Sequence, residues 1–248
     1  MVVEINTVYI VILSLCIVVN IQLSLSEICC TPDQWVADMF LDYGTVFIDK
    51  DQVSPKTAYS YINGTVKTAY DYVNQRTYLK LKGTQVTPLI PKPEPADTTI
   101  INDYKNGIQY NIGLDGSCQK STIKNMTKQC VPDDAKLLST GSLAASWNKV
   151  KNYKFITKDD FPASVDTTVI INLPTKSCNP GYAVYFVGST ERGSGTMINF
   201  DVLNVVPSIL DPSVFSPPPQ CKNARFTRKE ENKRNTVLQR LFRKGLFF

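Results

Sequence analysis

Apolar and polar residues alternate through most of the chain, in short runs separated by clusters of Gly, Asn and Pro. A period of two puts successive side chains on opposite faces of an extended strand, so the pattern predicts β-structure. In INDYKNGIQYNIG (residues 101–113), Ile108, Tyr110 and Ile112 take one face, Gln109 and Asn111 the other. Asn106-Gly107 is the pair preferred in a two-residue hairpin turn, where both central positions need positive φ. AYDYVNQRTYLKLKG (69–83) predicts a second hairpin around Asn74-Gln75. In TMINFDVLNVV (196–206), Ile198, Phe200 and Val202 oppose Asn199 and Asp201. VDTTVIINL (165–173) and AVYFVGS (183–189) are two further apolar strands; before residue 222 only SLAASWNKV (142–150) has a briefly helical pattern, which reads equally well as a strand with a bulge. Four prolines in TPLIPKPEPAD (87–97) make that stretch an extended, polyproline-like connection at the surface. Strands with one wet and one apolar face belong to antiparallel sheets. Two such sheets must cover each other or curl around something.

The start of the chain changes the picture. Residues 8–19 (VYIVILSLCIVV) form an apolar run too short to span a bilayer and suited to a signal-peptide core, although Glu4 precedes it and no Lys or Arg does. Small residues at Ser24 and Ser26 predict cleavage before Glu27. This divides the chain into a signal peptide (1–26), a β domain (27–221) and a basic tail (222–248), and makes the product secreted. Six cysteines then remain: Cys29, Cys30, Cys118, Cys130, Cys178 and Cys221. In an oxidising compartment they read as three disulfides, with fifteen connectivities open. Two glycosylation sequons, at Asn63 and Asn125, are expected in solvent-exposed turns.

The 27 Lys+Arg and 22 Asp+Glu are unevenly placed. Residues 27–221 hold 18 bases and 19 acids, a net of −1; residues 222–248 hold nine bases and two acids, a net of +7. With Glu4 these give the overall +5. The basic character belongs to the tail, and a nearly neutral secreted body argues against nucleic-acid binding. In the tail, Val237, Leu238, Leu241 and Phe242 share a helical face opposite Gln239, Arg240, Arg243 and Lys244. The segment is read either as an amphipathic helix for an anionic membrane or as disordered chain. Arg225-Phe226-Thr227-Arg228 is also a candidate processing site. The chain contains no histidine, which excludes Ser-His-Asp and Cys-His catalysis. Asp133-Asp134 and Asp159-Asp160 are adjacent acids in polar stretches, read as solvated loops. No nucleophile–base constellation is visible, so an enzyme is not expected.

Three motifs occur in order: Cys29-x-x-Pro32-x-x-Trp35, YKNGIQYNIGLDGSCQKSTI (104–123) and DPSVFSPPPQC (211–221). Together they resemble the opening, central and closing signatures of ependymin-related proteins. The resemblance implies an all-β fold of two antiparallel sheets forming a half-open barrel around a hydrophobic pocket, similar to bacterial lipoprotein carriers. It implies pairing of Cys118 with Cys221 and of Cys29 with Cys178, which leaves Cys30 with Cys130. In that picture the proline-rich segment is a strap riveted by Cys221, with Val214 and Phe215 plugged into the apolar layer. It further implies a fatty-acyl or other hydrophobic ligand, a homodimer and calcium association, with no organic cofactor. Some members are linked to extracellular matrix, others to lysosomes.

Read from the residues alone, Ile108, Tyr110, Ile112, Ile198, Phe200 and Val202 are an ordinary sandwich core; with the resemblance they become the pocket wall. Tyr59, Tyr61, Tyr70, Tyr72 and Tyr110 at strand spacing suit such a lining, because each joins an apolar ring to a hydroxyl that needs a partner. No EF-hand loop is present, and no residue is singled out as a calcium ligand. Two functions follow: a secreted glycoprotein that binds a hydrophobic ligand, or a calcium-responsive matrix and adhesion protein whose interior is filled by its own side chains.

Overall fold

The computed structural model describes residues 29–48, 57–87, 90–142, 149–159, 165–174, 184–189 and 194–226. The signal segment, Cys178 and the tail beyond Phe226 lie outside them, as do the central residues of the briefly helical segment. Among the described residues twelve strands follow one another: β1 (Gln34–Ile48), β2 (Thr57–Asp71), β3 (Arg76–Thr87), β4 (Ile90–Pro95), β5 (Thr98–Asp103), β6 (Ile108–Gly113), β7 (Cys118–Thr122), β8 (Lys136–Ser142), β9 (Lys149–Asp159), β10 (Val165–Pro174), β11 (Val184–Ser189) and β12 (Ser194–Val206). All these strand pairs are antiparallel, in the order β7-β6-β5-β3-β2-β1-β12-β11-β10-β9-β8, with β4 added beside β3.

The sheet is open, since the path ends at β7 and β8 without joining them. The expected two layers are therefore continuous with each other. Chain-successive strands build β2–β7 on one side of β1 and β8–β12 on the other, and the pairing of β1 with β12 joins the halves. That junction contains a bulge where Val36 meets Val206 and Asp38 meets Leu203. Asn204 takes φ 52° there, and its amide donates to the Asp38 carboxylate at 3.1 Å. An Asn can absorb the left-handed backbone that an extra residue in a ladder requires.

Both expected hairpins form, but with four-residue connections. Asp71 pairs with Arg76 across Tyr72–Gln75, and Asp103 pairs with Ile108 across Tyr104–Gly107. The two turns share the pattern Asp-Tyr-x-Asn followed by a residue with positive φ, Gln75 at 55° and Gly107 at 67°. In each the aspartate accepts from the asparagine backbone N–H and side-chain amide: 3.1 and 2.8 Å at Asp71, 3.0 and 2.6 Å at Asp103. Positive φ at both central residues was expected of Asn106-Gly107. Only Gly107 has it, because the Asp103 carboxylate holds Asn106 in an ordinary turn conformation instead. The turns also abut, with the Tyr104 N–H donating to the Gln75 carbonyl at 2.9 Å.

The proline-rich connection is extended as expected, yet it also pairs, as the short strand β4. Such prolines are tolerated because an edge strand has one unpaired side. The closing segment becomes two short 3-10 turns, Pro212–Phe215 and Pro219–Cys221. Asp211 caps the first by accepting from the Ser213 N–H at 2.9 Å. Beyond Cys221 the chain returns along the free edge of β7, where Lys120 N–H donates to Arg225 O at 3.1 Å and Lys120 bridges to Phe226 in parallel. This covers part of an edge that would otherwise offer unpaired backbone groups.

Candidate functional site

Register assigns each residue to one of two faces. On the first, β1 contributes Trp35, Ala37, Met39, Leu41 and Tyr43, all buried. The rows Val202–Met39–Val66–Leu81 and Ala37–Thr68–Leu79–Ile100 continue that face across neighbouring strands. With Ile62, Tyr70, Phe155 and Phe200 these side chains, Thr68 apart, form one contiguous apolar cluster, in which Trp35, Leu41 and Val66 have no exposure. At its edge the row Phe200–Leu41–Gly64–Gly83 ends in two facing glycines. A Cβ on Gly64 would lie 2.5 Å from the Lys82 carbonyl oxygen, and one on Gly83 would overlap Asn63 O. The backbones of β2 and β3 approach too closely there for any side chain.

One end of the apolar face is sealed by polar chemistry. The row Trp35–Tyr70–Thr77–Asn102–Gln109–Ser121 crosses six strands. Its first two rings stack at 5.7 Å. Its last four side chains hydrogen-bond in series: Asn102 amide to Thr77 hydroxyl (2.9 Å), Gln109 amide to Asn102 oxygen (2.8 Å), and Ser121 hydroxyl to Gln109 oxygen (3.2 Å). Mutual satisfaction is what allows Asn102, Gln109 and Ser121 to be buried. Tyr104 folds from its turn onto Thr77 and Asn102, and burial pushes its hydroxyl up to a pKa of about 12. Tyr70 is likewise pushed up to about 12, chiefly by burial; its hydroxyl accepts from the Gln129 backbone N–H at 3.2 Å. Both phenols are neutral donors or acceptors at physiological pH.

Residues around Gln129 belong to a cross-linked flap. Cys30 is bonded to Cys130 across an isolated antiparallel bridge, the Thr31 N–H donates to Gln129 O, and the Val131 N–H donates to Cys29 O, both at 2.8 Å. Cys29, Met126, Val131 and Ala135 pack on the apolar cluster. Cys29 is itself disulfide-bonded, and its expected partner Cys178 lies outside the described residues.

The opposite face carries the strap. Cys118 is joined to Cys221, and the segment between β12 and Cys221 touches β3, β5 and β7. Phe215 is buried beneath the Arg76 guanidinium, whose Cζ stands 4.2 Å from the ring centroid; Val214 is only half-buried. Arg76 in turn donates to Asp71 Oδ2 at 2.8 Å. The expected plug thus sits outside the sheet and not within the apolar layer, because Cys118 points to that outer side.

The six expected wall residues divide accordingly. Phe200 and Val202 belong to the apolar cluster, and Ile198 occupies the register position opposite Tyr43. Ile108, Tyr110 and Ile112 occupy the strap face, each half-buried, with Tyr110 between Ile101 and Lys120. On β6 it is Gln109 that faces the cluster. Of the tyrosines, Tyr70 and Tyr72 join the apolar side, while Tyr59 and Tyr61 are exposed. Met39, Leu41, Val66, Leu79, Leu81 and Phe155 were not among the expected wall residues, and Trp35 entered only as part of the opening motif. Strict alternation in QWVADMFLDYG (34–44) carries the signal for the β1 members of that group. Neither sequon shares the expected turn setting: Asn63 is exposed in the middle of β2, and Asn125 is exposed in the irregular segment before Cys130. Among the described residues no cluster of three His, Cys, Asp or Glu is placed to hold a metal. No helix among them is long and apolar enough to cross a membrane.

These features define an open, antiparallel β-protein with one apolar face, stapled by disulfides on both sides. The family model for ependymin matches residues 92–221, and the chain belongs to the ependymin family. Among solved structures, an uncharacterized conserved protein from Thermus thermophilus is similar at 12% identity and TM-score 0.43, over 80% of this chain and 91% of that one. A LolA superfamily protein from Nitrosomonas europaea is similar at 9% identity and TM-score 0.28, over 75% of this chain and 91% of that one. Comparison with curated proteins finds no match.

Proposed function

We propose that the protein is a secreted, non-catalytic carrier of a hydrophobic ligand, with an acyl chain or comparable apolar group held against the face lined by Met39, Leu41, Val66, Leu81, Phe200 and Val202. The observation that carries this reading is the combination of a contiguous apolar face with a sheet whose outer edges, β7 and β8, are not joined. An open sheet can part at its free edges to admit a guest between its curled halves. Membership of the ependymin family and the disulfides support an extracellular setting.

The site is mostly apolar with a few placed polar groups at one end, the composition usual for small hydrophobic ligands. The polar groups at that end, on Tyr70, Thr77, Asn102 and Tyr104, are neutral and already hydrogen-bonded within the protein, so recognition rests on burial and not on charge. The test is native mass spectrometry of the secreted chain, followed by titration with a fluorescent fatty-acyl probe. Co-purifying acyl species, and probe binding weakened by Val66→Asp in a protein that retains its β circular dichroism, are expected. A folded protein that neither co-purifies with nor takes up an acyl probe would refute the carrier reading.

A further inference from the structure

On the strap side of the sheet, β1 and β2 present four solvent-exposed apolar or aromatic residues: Phe40 (52% exposed), Val46 (43%), Tyr59 (48%) and Tyr61 (44%). Register places them together, with Phe40 opposite Thr65, Asp42 opposite Asn63, Gly44 opposite Tyr61 and Val46 opposite Tyr59. The sequon Asn63-Gly64-Thr65 lies inside this patch, and Asn63 and Thr65 point to the same side as the rings. Asp42 Oδ1 accepts both from the Tyr61 hydroxyl at 2.8 Å and from Asn63 Nδ2 at 2.6 Å. The Tyr61 ring is therefore tethered beside the Asn63 amide. Opposite it, a Cβ on Gly44 would meet nothing within 4 Å, so the strand leaves open space there.

We infer that this patch is the seat of an N-linked glycan on Asn63, whose first sugar packs on Tyr61 and Phe40. In the attachment step the C1–O bond of a lipid-linked oligosaccharide diphosphate breaks and the C1–Nδ2 bond forms. One amide proton leaves with the diphosphate. Nδ2 keeps its second proton, which still satisfies Asp42. The C–H-rich face of a pyranose carries partial positive charge and matches the negative face of an aromatic ring. Phe40 stands diagonal to Asn63 across the strand pair, within reach of an aromatic side chain. The carbohydrate also excludes a second copy of the chain from this face, so any dimer uses another surface. The inference rests on secretion and is independent of the ligand.

The test is the full chain secreted from a eukaryotic cell, with glycan occupancy read by intact mass. Thr65→Val removes the hydroxyl required for transfer while leaving the Asn63–Asp42 bond in place; Asn63→Gln is the second variant. Loss of one glycan in each, and a Tm lower by about 2–4 °C for Thr65→Val, are expected. Trimming the wild type to its innermost sugar should leave Tm unchanged, and in a Tyr61→Ala background Thr65→Val should no longer lower it. An unmodified Asn63 overturns the inference, as does an equal Tm loss in both backgrounds. Concentration-dependent dimerisation of the glycosylated protein that Phe40→Asp abolishes overturns it too, since a second copy would then be the occupant.

Discussion

Replacing Asp71 with asparagine tests how the first hairpin and the strap are tied together. Its side chain has no exposure and accepts four hydrogen bonds: Gln34 Nε2 (2.9 Å) and Asn74 N (3.1 Å) on Oδ1, Asn74 Nδ2 (2.8 Å) and Arg76 Nε (2.8 Å) on Oδ2. Burial alone would raise its pKa; the donors from Gln34, Asn74 and Arg76 outweigh it and hold the carboxyl below its ordinary value. Asparagine keeps the shape but turns one oxygen into an amide that faces donors. It also leaves Arg76 without its counter-charge. Breaking one partner of a buried ion pair costs about 3–5 kcal/mol, and because Arg76 keeps some contact with water the lower end, about 3 kcal/mol, applies. For a domain of this size that is a Tm drop of about 6–12 °C.

The assay is urea unfolding of Asp71→Asn and wild type at several pH values. A folded-state pKa below the unfolded one means the stabilisation is complete above the unfolded carboxylate value, about 3.9. It disappears as pH falls through the lower folded-state value. The gap between the two proteins should therefore be full at pH 7 and close on acidification below about pH 4. Arg76 also covers Phe215, so Asp71→Asn and Phe215→Leu should be non-additive by about 0.5 kcal/mol or more. A variant within about 0.5 kcal/mol of wild type at pH 7, the range of an inconsequential surface change, refutes the reasoning. So does a gap that widens in acid.

Other consequences are measurable in the same way. Cys118→Ser with Cys221→Ser opens a sequence separation of 103 and should lower stability by about 5 kcal/mol in the chain-entropy account, with faster proteolysis around Phe215; unchanged urea midpoints would count against the strap. Gly64→Ala should destabilise by about 1–3 kcal/mol, because backbone and not a side chain must move. Gly44→Ala, with nothing within 4 Å, should stay within about 0.5 kcal/mol, and equal effects would show that the β2–β3 approach is not tight. Removing bound acyl ligand should lower Tm, since ligand at a hundred times Kd contributes about 2.7 kcal/mol; a delipidated protein with identical melting would contradict a dedicated site.

Strand content was legible because alternation is local: the side chains of residues 108–112 and 199–202 alternate as their spacing requires. Which face of a strand is inside is a long-range property, and it failed on β6. Apolar content pointed Ile108, Tyr110 and Ile112 inward, yet Gln109 takes the inner position because Asn102 and Ser121, distant in sequence, complete its hydrogen bonds. The turns show the same limit at shorter range. Asn106-Gly107 read alone suggests a two-residue loop, but an aspartate three residues earlier in each hairpin captures the asparagine and sets a four-residue loop. That Asp-Tyr-x-Asn repeat at 71 and 103 is visible in the sequence once its mechanism is known.

The two-sided burial of β5 explains why the strap lies outside. Ile100 and Asn102 face the apolar cluster side while Ile101 faces the other, and all three are buried. A strand in an open sheet obtains one cover from the sheet's own curl and none for its outer face. Ile101 on β5 and Tyr110 on β6 would face water without the segment that ends in Phe215 and Cys221. Cys118 sits at β7, next to that exposed region, so a bond from it to Cys221 holds the cover where the sheet is least enclosed. Staples outside and a flap at one end leave the apolar face free of cross-links through its middle, which is the arrangement an interior guest would require.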